Sequence, residues 1–212
     1  MTDTRAPFES SEVLEIDGKS YPEIVDNAVE REIKYFYFNL QGWGYRDSGF
    51  EYDKQKKMIQ IKGSRYMFGG QYLPKFGTYI KENMHSDLDT EDPAQTDMDV
   101  NAPNLNHTFL EELGSEQLSR RSFSKWERIM HSHGACLEEV WQLRYEKIPK
   151  LCDVVVYPDN TEQVETIIKL AVKHNVVLVP YGGGTNVTKS LKLPDAETRM
   201  IVSIDMGRMN RI

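Results

Sequence analysis

Residues 153–187 constrain the fold of this chain more tightly than any other stretch. Asp153-Val154-Val155-Val156-Tyr157 is an unbroken, mostly β-branched apolar run, the pattern of a strand buried on both faces. Pro158-Asp159-Asn160 reads as a turn, and a helix starts behind it. Asn160 is a favourable N-cap, with Gln163 three positions on as its capping-box partner. Val164, Ile167, Ile168, Ala171 and Val172 recur at helical spacing and make one apolar face. Lys173 and His174 fall in the last turn, where positive charge suits the helix dipole, and Asn175 is a good left-handed end residue. Residues 176–179 form a second buried-type strand and 200–204 a third. Strand, helix, strand in this order predicts a β-α-β unit with parallel strands and a right-handed crossover.

The second strand runs straight into Pro180-Tyr181-Gly182-Gly183-Gly184-Thr185-Asn186. Consecutive glycines let the backbone take positive φ and approach a ligand closely. Successive N–H groups can then converge on an anion, and Thr185 and Asn186 add a hydroxyl and an amide as donors. A diphosphate suits such a turn; the glycines alone would serve equally as a ligand-free bend. The scaffold in front of them favours the phosphate, but two familiar forms of it fail. A dinucleotide fingerprint needs its glycines between the first strand and its helix, where this chain has Tyr157-Pro158-Asp159-Asn160. A P-loop needs Gly-Lys-Ser/Thr, and Lys189 comes too late.

The remainder divides into a first region over residues 1–84 and a second over 85–150, ahead of the third at 151–212. In the first, residues 21–39 carry a helical pattern, with Pro22 suited to a first turn and Ile24, Val25, Ala28 and Val29 at helical spacing. Residues 50–53 and 58–62 alternate around a lysine-rich turn and predict a small hairpin. The second region opens with a linker: six acidic residues, two prolines and no Lys or Arg between residues 85 and 103, a solvated loop by composition. Those carboxylates follow no calcium-loop spacing. Short helices are expected over 110–118, 124–130 and 136–144. His131 and His133 are a tempting metal pair without further ligands.

A net charge of −7 gives no electrostatic case for nucleic acid or an anionic membrane surface. No apolar run is long enough to span a bilayer. Residues 1–15 are polar and acidic, unlike a signal peptide or an Arg-rich leader, which leaves the cytosol or an organelle reached by a receptor-read address. Cys136 and Cys152, at no metal-ligand spacing, are expected as reduced thiols.

A strand ending in Pro, a helix, a second strand and then P-x-G-G-G-T-N resembles the FAD-binding domain of vanillyl-alcohol-oxidase-type flavoproteins. Within that group the chain is similar to the alkyldihydroxyacetonephosphate synthase family over roughly residues 31–212. Trp43-Gly44-Tyr45-Arg46-Asp47-Ser48, Gly63-x-Arg65-Tyr66, Leu73-Pro74-x-Phe76 and His133-Gly134-x-Cys136-Leu137-x-Glu139 carry the resemblance, with Pro194 to Arg199 and Met209 to Ile212. One departure is Leu151-Cys152-Asp153, where the family has Ile-Pro-Asp; Asp153 keeps the acidic position.

The resemblance implies an α+β protein: a mostly helical N-terminal region with a small hairpin, then the first β-α-β part of a PCMH-type FAD-binding domain. It implies FAD held by Pro180, Tyr181, Gly182, Gly183, Gly184, Thr185 and Asn186, with Pro158 shaping the adenine side. It implies exchange of the acyl chain of acyl-dihydroxyacetone phosphate for a long-chain fatty alcohol, with no net redox change and the flavin acting through its N5. A flavin oxidoreductase of the same fold, acting on a hydroxy acid or alcohol, is the alternative. It further implies a peroxisomal, membrane-peripheral homodimer for the full-length protein. The family's acid–base residues lie C-terminal to the stretch matched here, so no catalytic residue is assigned, and the chain is expected to be an N-terminal portion, inactive alone.

Overall fold

A computed structural model describes residues 13–16, 19–22, 38–90, 93–95, 98–115 and 120–210 of the chain. The class is α+β, as expected. β1 (Val13–Ile16) and β2 (Lys19–Pro22) form an antiparallel pair with Val13 opposite Pro22. The helix read over residues 21–39 therefore does not begin at Tyr21: Pro22 ends a two-stranded ribbon, where its missing N–H costs no ladder bond to a third strand. Residues 23–37 lie outside the described part. Phe38 bridges to Tyr45.

The expected hairpin is present as β3 (Gly49–Asp53) and β4 (Met58–Lys62), joined by β5 (Tyr72–Leu73) into a three-stranded antiparallel sheet. A short helix α1 (Phe76–Tyr79) continues as one π-helical stretch (Ile80–Met84) and ends at His85 with φ 52°.

The second sheet holds the core, in the order β6-β7-β9-β8. It comprises β6 (Arg121–Ser122), β7 (Val154–Val156), β8 (Val177–Tyr181) and β9 (Ile201–Asp205). β7, β9 and β8 are mutually parallel, and β6 pairs antiparallel with β7. Thus β9 sits between the two strands of the β-α-β unit. The edge strand β6 comes from the second region, and two residues are too few to leave a period in the sequence.

Both faces of this sheet are buried, which explains the unbroken apolar runs. Val154, Val156, Val202 and Ile204 face one cluster with Phe109, Leu110 and Leu113 of α2 (His107–Ser115) and Ile167, Leu170 and Ala171 of α5 (Thr161–His174). Val155, Tyr157, Val179, Tyr181 and Ile201 face the other. There they meet Ile129 and Met130 of α3 (Lys125–Met130), Leu143 of α4 (Leu137–Tyr145), and Leu191 and Leu193. The second and third regions thus share one core.

α5 begins and ends where its sequence indicates. The Asn160 Oδ1 accepts from the Gln163 N–H at 2.9 Å, and Asn175 is left-handed at φ 53°. The Gln163 side chain accepts from the Asp159 N–H, one residue before the cap. Its buried stripe differs from the expected face. Ile167, Leu170 and Ala171 are buried, whereas Ile168 and Val172 are exposed. The buried stripe is centred on Ile167, Leu170 and Ala171 because the sheet and α2 meet the helix on that side.

The linker is not the freely solvated loop its composition suggests. Met98 is buried in the second cluster, and the Gln95 amide donates to the carbonyls of Leu143 and Glu146. Asn101 accepts from Arg128 Nη2, and the Asn104 N–H donates to Asp153. Two apolar or amide side chains and the backbone dock it; among the described carboxylates, Asp87, Asp89 and Asp99 are exposed.

Candidate cofactor site

Parallel strands bring their following loops to one end of a sheet, where α/β folds bind ligands. Here Val156 and Pro180 both pair with Ile204, and Tyr181 pairs with Asp205. The turn at Pro158, the glycine turn after β8 and the 3₁₀ turn Met206–Arg208 after β9 therefore share that end. Pro158 is buried, while Pro180, Gly182, Gly183 and Thr185 are exposed.

The three glycines are not equivalent. A Cβ added at Gly182 or Gly183 would meet nothing within 4 Å, so their backbone stands open to a guest. At Gly184 a Cβ would lie 2.3 Å from the Tyr181 hydroxyl, and φ is +67°. Gly184 is therefore required by the fold itself, because the Tyr181 ring lies across it. Tyr181 is a packed wall. Its ring centroid is 4.3 Å from that of His131, and burial, aided by the Asp205 carboxylate, pushes its hydroxyl pKa up to about 12. This open, exposed backbone beside a buried wall fits a diphosphate cofactor.

Thr185 and Asn186, read together as phosphate donors, are placed differently. Thr185 is exposed. Asn186 is buried and left-handed, φ 52°. Its Nδ2 donates to Glu139 Oε1 at 2.6 Å and its Oδ1 accepts from the Leu191 N–H at 2.8 Å. Asn186 thus holds the turn in shape. Arg208 pairs with Asp159; Arg211 lies outside the described residues.

Sequence reasoning did not foresee the wall behind the turn. It is built by residues 131–139, the stretch that joins α3 to α4. A Cβ on Gly134 would lie 2.0 Å from the Asn186 Cβ, so this loop touches the turn directly. Glu139 opens α4 and reaches Asn186. Cys136 donates its thiol to Glu139 Oε2 at 3.1 Å, and burial, with that bond, raises its pKa. From outside, the Trp43 indole N–H donates to the Ala135 carbonyl at 2.8 Å. Arg144 donates to the Gln41 carbonyl, and the Gln41 amide to that of Leu143. Arg65 pairs with both oxygens of Asp47 and lies 4.0 Å over the Tyr45 ring. The separate motifs around Trp43, Arg65 and His133 are therefore one chain of contacts that ends on the glycine turn.

The histidines do not form a metal pair. His131 places Nε2 2.9 Å from Asp205 and Nδ1 2.7 Å from the Glu127 carbonyl. His133 donates from Nδ1 to the Ile129 carbonyl. Among the described residues no group of three His, Cys, Asp or Glu could hold a metal ion. Burial lowers the pKa of His133 below its ordinary 6.5. The unfolded chain then binds a proton that the folded one refuses, so this group's contribution is intact above pH 6.5 and is lost as pH falls through and below it. Urea midpoints at pH 5.5 and 7.5 should show a fall in stability at the lower pH, with a slope of up to about 1.4 kcal/mol per pH unit from this one group. His133→Asn, which keeps a donor for Ile129, should flatten the slope; an equal slope in both proteins would refute the assignment.

Residues 152–212 match the family described as FAD binding domain. The chain is 34% identical over 173 residues to alkyldihydroxyacetonephosphate synthase of Caenorhabditis elegans, covering 81% of this chain and 29% of that protein. It is 29% identical to the Dictyostelium discoideum alkyldihydroxyacetonephosphate synthase over 213 residues, 92% of this chain and 32% of that one. A solved alkyldihydroxyacetonephosphate synthase structure superimposes with a TM-score of 0.73 at 29% identity, over 84% of this chain and 34% of that one. The chain thus spans about a third of the length of these relatives. Its cofactor is FAD, and the chain is an alkyldihydroxyacetonephosphate synthase-like FAD-binding protein.

Proposed function

We propose that the turn Pro180 to Asn186 holds the FAD pyrophosphate and that Pro158 borders the adenine side. The observation that carries this reading is the open backbone at Gly182 and Gly183, at the carboxyl end of a parallel sheet and next to the buried Tyr181. The N–H groups of this turn would bind the phosphates, and Thr185, exposed beside them, would add its hydroxyl. Tyr181 would exclude water from the inner side. We further propose the relatives' named activity for the protein, alkyldihydroxyacetonephosphate synthesis, with an acyl-dihydroxyacetone phosphate and a long-chain fatty alcohol as substrates. The flavin, when bound, supplies the reactive ring through which the two chains exchange; this chain's residues bind and orient it.

Gly183→Asp tests the cofactor reading cleanly. A Cβ at Gly183 meets nothing within 4 Å and φ there is not positive, so the fold tolerates the side chain. Its carboxylate, however, would sit where the phosphates bind. Titration with FAD, followed by flavin fluorescence, should show at least a tenfold loss of affinity with an unchanged thermal midpoint. Equal affinity in wild type and variant, or absence of FAD binding by the wild type, would overturn the proposal.

A further inference from the structure

We propose that Glu139 is a positioning residue for the cofactor turn, latching it through Asn186. This rests on the reading of that turn as the FAD site. The turn has to keep two glycines open while its far end bends sharply back, and a left-handed Asn186 makes the bend. That conformation is uncommon for any residue with a Cβ and needs outside support. The Asn186 side chain supplies it from both ends. Its carbonyl oxygen closes a local ring with the Leu191 N–H, and its amide reaches across 47 residues of sequence to Glu139. Glu139 is itself fixed. It is buried, it lies in the first turn of α4 where the helix dipole favours a carboxylate, and its second oxygen accepts the Cys136 thiol. Gly134 lets the loop before α4 approach Asn186 closely enough for this bond. The carboxylate therefore fixes, through Asn186, where the end of the turn stands relative to the second cluster.

A side-chain swap tests the latch. Asn186→Asp keeps a residue tolerant of φ > 0 but sets a carboxylate against Glu139. Glu139→Gln/Asn186→Asp reverses donor and acceptor and remakes the bond. Hydrogen exchange over residues 182–191, measured without cofactor, should speed at least tenfold in Asn186→Asp and in Glu139→Ala, and return to within threefold of wild type in the swap. FAD affinity should follow the same order. Unchanged exchange in Glu139→Ala, or no recovery in the swap, would overturn the latch. If exchange follows the expected order while wild type binds no FAD, the latch stands and the cofactor reading fails.

Discussion

Gly134→Ala should destabilise the protein by about 2–3 kcal/mol, the upper part of the range of about 1–3 kcal/mol for forcing an extra carbon into a packed contact. The new Cβ would stand 2.0 Å from the Asn186 Cβ, 3.1 Å from its Cα and 3.0 Å from the Gly184 carbonyl oxygen. None of these is the free end of a flexible side chain. Carbon atoms in contact sit about 3.5–4 Å apart, so the two loops must separate by well over an ångström. Separation would also stretch the Asn186–Glu139 bond and tilt the open glycines away from Pro158. Urea unfolding and FAD titration should therefore both fail together in this variant. Gly182→Ala is the control: with nothing within 4 Å of its Cβ, stability should stay within about 0.5 kcal/mol of wild type. A Gly134→Ala protein with wild-type stability and FAD affinity would show that the two loops are not in direct contact at Gly134.

That contact shows what one sequence can and cannot reveal. The third region was legible because its signals are local. A run of β-branched residues, a capping residue three positions before its partner and a glycine run after a strand each act over a few residues. They gave the strands, the helix and the turn in the right order. Two features of that region escaped, one because it depends on distant chain and the other because it is a matter of strand order. The apolar face of α5, Val164, Ile167, Ile168, Ala171 and Val172, is buried at Ile167 and Ala171 but not at Ile168 and Val172, because which side of a helix is covered is decided by α2, brought in from residues 107–115. β9 lies between β7 and β8, and strand order leaves no trace in hydrophobic period.

The second region was legible as short helices and illegible as a wall. His133 to Glu139 stood out as a motif, yet nothing in its spacing says that Glu139 meets Asn186 or that Gly134 meets it too. Such pairings are set by tertiary packing across about fifty residues. The acidic linker failed in the opposite sense. Composition reports the average residue, and docking depends on particular ones, Gln95, Met98, Asn101 and Asn104. The helix expected from residue 21 gave way at Tyr21 and Pro22, because pairing with β1 outweighs a weak helical pattern.

Asp153→Ala should cost about 2–4 kcal/mol, a sizeable share of the roughly 5–15 kcal/mol that holds a domain together. Asp153 is buried at the start of β7, and its two oxygens accept backbone N–H groups from opposite directions. Oδ2 takes Ile201 and Oδ1 takes Asn104, each at 2.7 Å. The first bond ties β7 to β9 just before their ladder begins; the second ties the linker to the sheet. Alanine would leave both donors without this acceptor. Burial raises the Asp153 pKa, so desolvation offsets part of the gain, which keeps the estimate below the sum of two full penalties. The same shift has a sign. Between the ordinary carboxyl value of 3.8 and the raised one, the folded state holds the proton more often, so this group makes wild-type stability fall as pH rises, and alanine should remove that slope. Cys152 stands where the resemblance leads one to expect proline, and its N–H donates to Ser132 Oγ at 2.7 Å, a bond proline cannot make. Ser132 in turn donates to the Arg128 carbonyl, and Arg128 Nε donates to the Cys152 carbonyl. A cooperative ring thus fixes the strand's lead-in, and Asp153 passes that position on to β9. Urea unfolding at pH 7 and exchange of the Ile201 amide should both report the loss; a change below about 1 kcal/mol with Ile201 still protected would mean that the ladder alone fixes the strand.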